Sequence, residues 1–540
     1  MFTVCPGWTA LLVPIVCAVV PVLAASAQAQ LLARGDILIS SSTYQDTGAV
    51  TNLTVGQQIP TDSATAVAVS GGGGVNGNPL GVFFNSTADA NFGVTSPLTV
   101  TQYTPGGTAN DVLNLPAPTA TNAGNGIVTS FSSKSEGSLS ISPNGQTVTL
   151  MGYSAPVGAV DASNAQTPGA LEAGNTDIAT PTYRVAATIG TTGQITYTQT
   201  NSYSGNNPRA AVALPGNVLL MAGNAGNGNG GNDVTNGTGI QYTTLGTTVN
   251  SPGGVPAISN ATPVQYGAGG SEVGFYAIGQ NGDTADKTAK DSNFRSLTVF
   301  DNTVYTTKGS GSNGIDTVYQ VGNAGSGVTL PAMAAPVTGN ALASNNPITV
   351  LPGLSTSLAK NTADFTPFNT WFANPTTMYV SDEGSGDAID VSQHGGIEKY
   401  SLVSGVWVLD FVLKGSLIGS SSLFINFGSV TTTGLRQING VVNANGTVTI
   451  YGVTATTDGI TDGSGTMDAG ADPNEVVDIT DVLADTTAPE VAGENYSVFE
   501  AASLGTVYRG VAVDTVPEPA SLLLLGSAMA GLGWMRRRRG

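Results

Sequence analysis

Two acids that close one strand, Asp382 and Glu383, are followed at short spacing by Asp387 and Asp390. Carboxylates so close together supply the hard oxygen donors that suit Ca2+. This is the best-placed set in the chain for a metal, and a structural Ca2+ is the one cofactor to be weighed. A second acidic stretch holds Asp458, Asp462, Asp468, Asp472, Glu475, Asp478 and Asp481. Its segment from Asp462 to Asp468 lacks the acid spacing and central glycine of an EF-hand loop. Solvated acidic loops are the plainer account of both stretches. His394 is the sole histidine, with Asp387 and Asp390 nearby. No Gly-x-Ser-x-Gly elbow surrounds a serine that it could activate. The glycine-rich run from Asn224 to Gly230 is followed by no Lys-Ser/Thr, so it is no phosphate cradle. No catalytic residue is assigned, and the chain reads as a non-enzyme.

Cys5 and Cys17 are the only cysteines, and both fall within the first 29 residues. The rest of the chain therefore has neither disulfides nor thiolate metal sites, and one histidine is too few for a usual zinc site. The formal charge is −19, which repels nucleic acid and suits a soluble extracellular protein. With 72 glycines and only 10% charged residues, helix formers are scarce while β-branched residues and turn formers recur. The composition is that of an all-β protein.

The elements that position these residues show as a repeat marked by basic residues. Lys134, Arg209, Arg295 and Arg436 each precede a short strand, an Asn/Gly/Pro turn and a second short strand. This is hairpin grammar. A fifth copy, Trp371 to Gly384, lacks the arginine. Second hairpins follow, most clearly over Gly396–Leu413 and Tyr183–Thr198. Two hairpins per period make a four-stranded sheet, and successive sheets read as β-propeller blades. Long loops are expected over residues 71–78, 224–236 and 458–474. Arg509–Val513 looks like a first half-hairpin without a second, and Gly35–Ser40 like a second without a first. Joined, they close a ring and remove its open edge. The expectation is a propeller of six or seven four-stranded blades, the seventh hidden in residues 42–125 or 240–290. An elongated β-sandwich array or β-helix is the alternative.

The two ends of the chain carry addresses. Leu11 to Leu23 is almost wholly apolar, and Ala27 and Ala29 frame a small-residue cleavage site. Residues 1–29 therefore read as a signal peptide in a helix, although no Lys or Arg precedes Arg34. At the other end, Val516, Pro517, Glu518 and Pro519 lead into an apolar run, Ala520 to Met535, and then Arg536, Arg537, Arg538 and Arg539. The run is slightly shorter than the ~20 residues of an untilted membrane helix, and the arginines bias that end to the cytoplasm. The expected organisation is a signal over 1–29, a propeller over 31–515 and a sorting signal with a short transmembrane helix over 516–540.

This tail resembles the PEP-CTERM sorting signal of exopolysaccharide-producing Gram-negative bacteria, a tail also labelled an ice-binding protein C-terminal domain. The resemblance implies recognition and processing by an exosortase. It also implies transient membrane insertion, then residence at the cell surface or outside the cell, among exopolysaccharide or envelope components. The body is similar to bacterial surface propellers that share the phrases Phe131–Glu136, Tyr203–Asn207 and Tyr508–Ala512, a likeness that brings no chemistry with it. The leading expectation is a non-enzymatic surface or matrix protein. Its rivals are a Ca2+-dependent propeller hydrolase or lyase, and a carbohydrate-binding adhesin with exposed aromatics on one rim.

Overall fold

The computed structural model describes residues 33, 35–45, 94–131, 133–134, 136–159, 162–169, 180–226, 237–255, 270–273, 276–279, 292–309, 311, 313–322, 347–359, 365–384, 395–424, 428–457, 470, 472–487, 494–503 and 505–513. Their regular elements are all strands, and none forms a helix long and apolar enough to cross a membrane. The expected signal helix and transmembrane helix lie outside the described residues, as do the cleavage and sorting motifs and most of the three long loops.

In chain order, the strands begin with β1 (Ile37–Thr43), β2 (Thr95–Tyr103) and β3 (Ala109–Asn114). There follow β4 (Val128–Ser130), β5 (Ser140–Ile141), β6 (Thr147–Tyr153), β7 (Arg184–Gly190) and β8 (Ile195–Thr200). Next are β9 (Pro208–Leu214), β10 (Val218–Gly223) and β11 (Gly239–Thr244). Then come β12 (Gly270–Val273), β13 (Tyr276–Gly279), β14 (Thr298–Phe300), β15 (Thr303–Lys308), β16 (Thr317–Val321) and β17 (Pro347–Val350). The hairpin pairs β18 (Pro367–Asn374) with β19 (Thr377–Asp382) and β20 (Gly396–Val403) with β21 (Val406–Leu413) come after these. The chain finishes with β22 (Ser421–Phe424), β23 (Gly428–Val442), β24 (Thr447–Thr457), β25 (Glu475–Val482), β26 (Ser497–Ala501) and β27 (Thr506–Val513).

Each marked copy forms the hairpin its turn residues dictate. Between β14 and β15 the two-residue turn Asp301–Asn302 has φ of 44° and 55°. Positive φ at both central positions is the turn whose twist matches paired strands, and Asp and Asn tolerate it best after glycine. Closure also follows the expected route. β1 pairs antiparallel with β27, from Ile37 opposite Val513 to Thr43 opposite Thr506.

The strands assemble into five sheets of nine, three, six, four and five strands, in place of the six or seven separate four-stranded blades expected. One cause is β4. It pairs with β2 on one side and meets β6 on the other, fusing β27-β1-β2-β3 and β5-β6-β7-β8 into one nine-stranded sheet. No seventh sheet forms among the described residues. Strands from 42–125 extend the closing sheet, and β12 and β13 complete the sheet of β14–β17.

Apolar cores link one group of strands to the next all the way round. One joins β1 and β2 to β6 and β7, and another joins β6 and β7 to β9 and β10. A large one runs from β9 and β10 through β15 and β16 to β19 and β20. The last two carry the packing from β19 to β24 and from β24 back to β27. A closed circuit of sheet-on-sheet cores is a propeller-like arrangement. Neighbouring sheets approach closely enough to need glycine. A Cβ on Gly309 would stand 2.3 Å from the Pro367 carbonyl of the next inner strand.

Candidate functional site

The basic markers are aimed by local irregularities in the inner strands. Where β9 pairs with β10, the register slips between Ala210 and Pro208, so Arg209 has no partner across the ladder. In β27 the slip falls between Gly510 and Tyr508 and frees Arg509. In β23 it falls between Leu435 and Ile438 and frees Arg436 and Gln437 together. An extra residue in one strand bends it and re-aims its side chain, and here it falls at Arg209, Arg436 and Arg509, all three of them buried. In β18 the corresponding slip leaves Phe368 extra. The copy without an arginine therefore puts a phenyl ring at that place, and the Arg295 guanidinium lies 5.1 Å over it.

That same copy supplies the countercharge. Glu383, just past β19, takes Lys134 Nζ at 3.0 Å and Arg295 Nη2 at 3.2 Å on Oε1, with Arg436 Nε 3.7 Å from Oε2. Burial alone would raise its pKa, but Lys134, Arg295 and Arg436 outweigh that and hold it at about 2. Partial desolvation, opposed by Glu383, brings Lys134 down to about 8. Its side chain keeps 37% of its surface, which makes it the open side of the cluster.

Arg509 and Arg209 stand in different states. Arg509 gives its donors to Ser42 Oγ and to the carbonyls of Phe131, Ser133 and Gly470, tying the last strand to the segment before β5. Arg209 is 5% exposed and makes a single hydrogen bond, to the Asn293 carbonyl at 3.3 Å. Its Nε is buried without an acceptor among the described residues. Burial first, and Arg295 next, push its pKa down to about 9. Beside it, Glu136 accepts from Tyr153 on Oε1, has no hydrogen-bond partner on Oε2 among the described residues, and has its pKa raised by burial.

Gln437, next to Arg436, cross-links neighbouring segments. Its Oε1 accepts from Leu139 N at 2.8 Å and Val511 N at 3.1 Å, and its amide donates to the Leu139 carbonyl. Gln437 also borders an open cavity. Its volume is about 650 Å3, and it is lined by the hairpin ends of the inner strands, among them Pro143, Phe300, Asn302, Trp371, Asn439 and Val442.

The four acids expected to hold calcium are only partly described. Asp382 Oδ1 accepts from Thr366 Oγ1 and from Gly384 N at 2.8 Å, which makes it a cap for the turn. Glu383 is held by three cations. Asp387, Asp390 and His394 lie outside the described residues, as do Asp458, Asp462 and Asp468. Of the second acidic stretch, Asp481 is wholly buried and pairs with Lys399 at 2.8 Å, while Tyr379 also donates to it. This pair pins β20 to β25. No group of three or more potential metal-binding side chains occurs among the described residues. Spacing marks the basic residues as a repeat but does not show that Lys134, Arg295 and Arg436 share Glu383. The available signal was that the one copy without a basic residue is the one whose second strand ends in Asp-Glu.

Structural comparison finds hydrazine synthase of Kuenenia stuttgartiensis, at 8% identity over 68% of this chain and 66% of that one, with a TM-score of 0.27. It also finds an ulvan lyase at 9% identity, covering 86% and 98%, with a TM-score of 0.30. The ectodomain of the parainfluenza virus 5 hemagglutinin-neuraminidase matches at 11%, covering 77% and 74%, with a TM-score of 0.28. Overlap this low lends nothing to a functional argument. No curated protein matches the chain. Residues 515–539 do match the PEP-CTERM protein-sorting motif, so the C-terminus carries the signal that implies export and processing by an exosortase.

Proposed function

We propose that this chain is a surface or extracellular-matrix protein, released from a transient membrane-inserted state by cleavage at Val516–Pro519. Its body acts by binding or structural display, without turnover. We count that body as six blade units, taking the nine-stranded sheet as two joined through β4. The observation that carries the non-catalytic reading is the sign of the charges that converge near the axis. A Ca2+-dependent hydrolase or lyase needs several oxygen donors converging on one ion. Here Arg436 of β23 meets Lys134 and Arg295 from the segments before β5 and β14, and their one shared carboxylate is already held by all three.

Purified protein, screened with and without Ca2+ against lactone, phosphate-ester and acidic-glycan substrates, is expected to show no turnover. Ca2+-dependent turnover that chelation abolishes would overturn the reading. Mass spectrometry of the secreted protein is expected to find no peptide containing Arg536–Arg539, and an intact tail outside the cell would sink the processing step. Carbohydrate adhesion is a second reading, favoured by Trp371 and Phe300 at the wide mouth, both partly exposed. Loss of glycan retention in Trp371→Ala would support it.

A further inference from the structure

We propose that the basic end of the axis binds a small oxyanion, a carboxylate or sulfate group, held by Arg209 with Arg295 beside it and Lys134 on the open side. The inference deepens the binding reading and rests on it.

Two buried arginines differ in how fully their donors are satisfied. Arg184 is wholly buried, and its Nε, Nη1 and Nη2 all donate to carbonyls, those of Thr182, Ser163, Ala165 and Asn206. That is a structural arginine. Arg209 has the same five N–H donors in a fixed fork and spends one on a long bond. It has no ion pair among the described residues. A buried cation left this way loses its hydration without replacement, and such groups are rare unless something else completes them.

Its surroundings select the sign of what completes it. Arg295 is the cation whose charge depresses Arg209, opposed first by Glu136 and then by Glu383, and Glu383 is shared with Lys134 and Arg436. Positive charge is therefore in excess at this point of an acidic protein. Planar forks of this kind match carboxylate and sulfate oxygens with two parallel bonds. The unpartnered Glu136 Oε2 adds an acceptor for a hydroxyl carried on the same ligand. A free anion and the charged group of an acidic glycan share this chemistry.

The test is a thermal-shift titration of the mature protein with sodium sulfate, glucuronate and polyglucuronate, at constant ionic strength in chloride. At low millimolar concentration the general stabilising action of sulfate is small, so a saturating rise in Tm of about 2 °C reports a site. The rise is expected in wild type and absent in Arg209→Met. That variant should melt cooperatively in chloride at or above the wild-type Tm, because an apolar side chain replaces an unsatisfied buried charge. If Arg209→Met does not fold, Lys134→Gln, on the open side, is expected to weaken the anion midpoint about tenfold. Equal shifts in wild type and variant, or no shift in wild type, would overturn the site. A response to glucuronate as strong as to its polymer identifies a free anion, and a response to the polymer alone identifies a glycan. Failure here leaves the binding reading standing, since that reading falls only to turnover.

Discussion

The two ends of the axis are built from the same strands and behave as opposites. At one end the register slips, and Arg209, Arg436 and Arg509 turn inward from β9, β23 and β27. At the other end the strands finish in hairpin turns around an open cavity of about 650 Å3 that no Lys or Arg among the described residues lines. Between them Gln437 ties Leu139 to Val511. Net charge describes neither end. A chain of −19 brings Lys134, Arg295 and Arg436 onto one carboxylate, where desolvation and mutual repulsion give each of them a large energetic effect.

The difference teaches where stability and where tolerance should lie. The basic end is a network in which every member depends on Glu383 or on a neighbouring backbone, so removing one part leaves another uncompensated. The mouth is made of turns whose side chains meet solvent, and most changes there should be absorbed.

The largest effect tests whether the two ends belong to one ring at all. Deleting residues 505–513 removes the partner of β1 and the Arg509 ties to Phe131 and Ser133. Cooperative unfolding should be lost, and an unchanged melting curve would refute closure. Next is Glu383→Gln, which strands Lys134, Arg295 and Arg436 without their carboxylate. Breaking a buried charged network in this way costs about 3–5 kcal/mol, read by denaturant unfolding, and Glu383→Gln/Arg436→Met should recover part of it. The pH dependence has a definite sign. Glu383 is held at about 2 in the fold against an ordinary 4.5, so its contribution is complete above 4.5 and is lost as pH falls toward 2. Glu383→Gln should lack that part of the acid limb. If its acid limb matches the wild type, the cluster does not act through this carboxylate.

How much of this was legible follows from the range of each signal. Hairpins are written locally, so β5–β6, β9–β10, β18–β19 and β23–β24 could be read from turn residues alone. Closure was legible because Gly35–Ser40 and Arg509–Val513 are complementary fragments of a repeated unit. The fusion of two sheets was not, since β4 has three residues and no distinctive pattern. Nor was the charge network, because Lys134 and Glu383 are 249 positions apart, and spacing in sequence carries no information about a meeting on an axis. Read by spacing alone, Glu383 belonged with Asp382, Asp387 and Asp390 as a calcium ligand. Three cations from other sheets change what its carboxylate can do.

At the mouth a moderate effect is available where backbones approach. A Cβ on Gly440 would stand 2.9 Å from both the Thr449 carbonyl and the Trp371 ring. Gly440→Ala should cost about 1–3 kcal/mol by overpacking, with no dependence on pH between 2 and 5 beyond that of wild type. A cost that grew on acidification would mean that the two ends are coupled through Gln437, three positions before Gly440, and the contrast drawn here would weaken.

The smallest effect is expected at Asn302, on the rim of the same mouth. Asp301 and Asn302 already occupy the left-handed region that their hairpin turn requires, and glycine is the residue that enters this region without steric cost. Asn302→Gly therefore relieves local strain in the fold while giving the unfolded chain more freedom, two changes of opposite sign. They should leave stability within about 0.5 kcal/mol of wild type, the range of ordinary surface substitutions. Chemical unfolding at matched salt, run beside Glu383→Gln, measures both ends on one scale. A loss at Asn302→Gly approaching that of Glu383→Gln would show that the rim, too, is held by interactions that its turn geometry does not reveal.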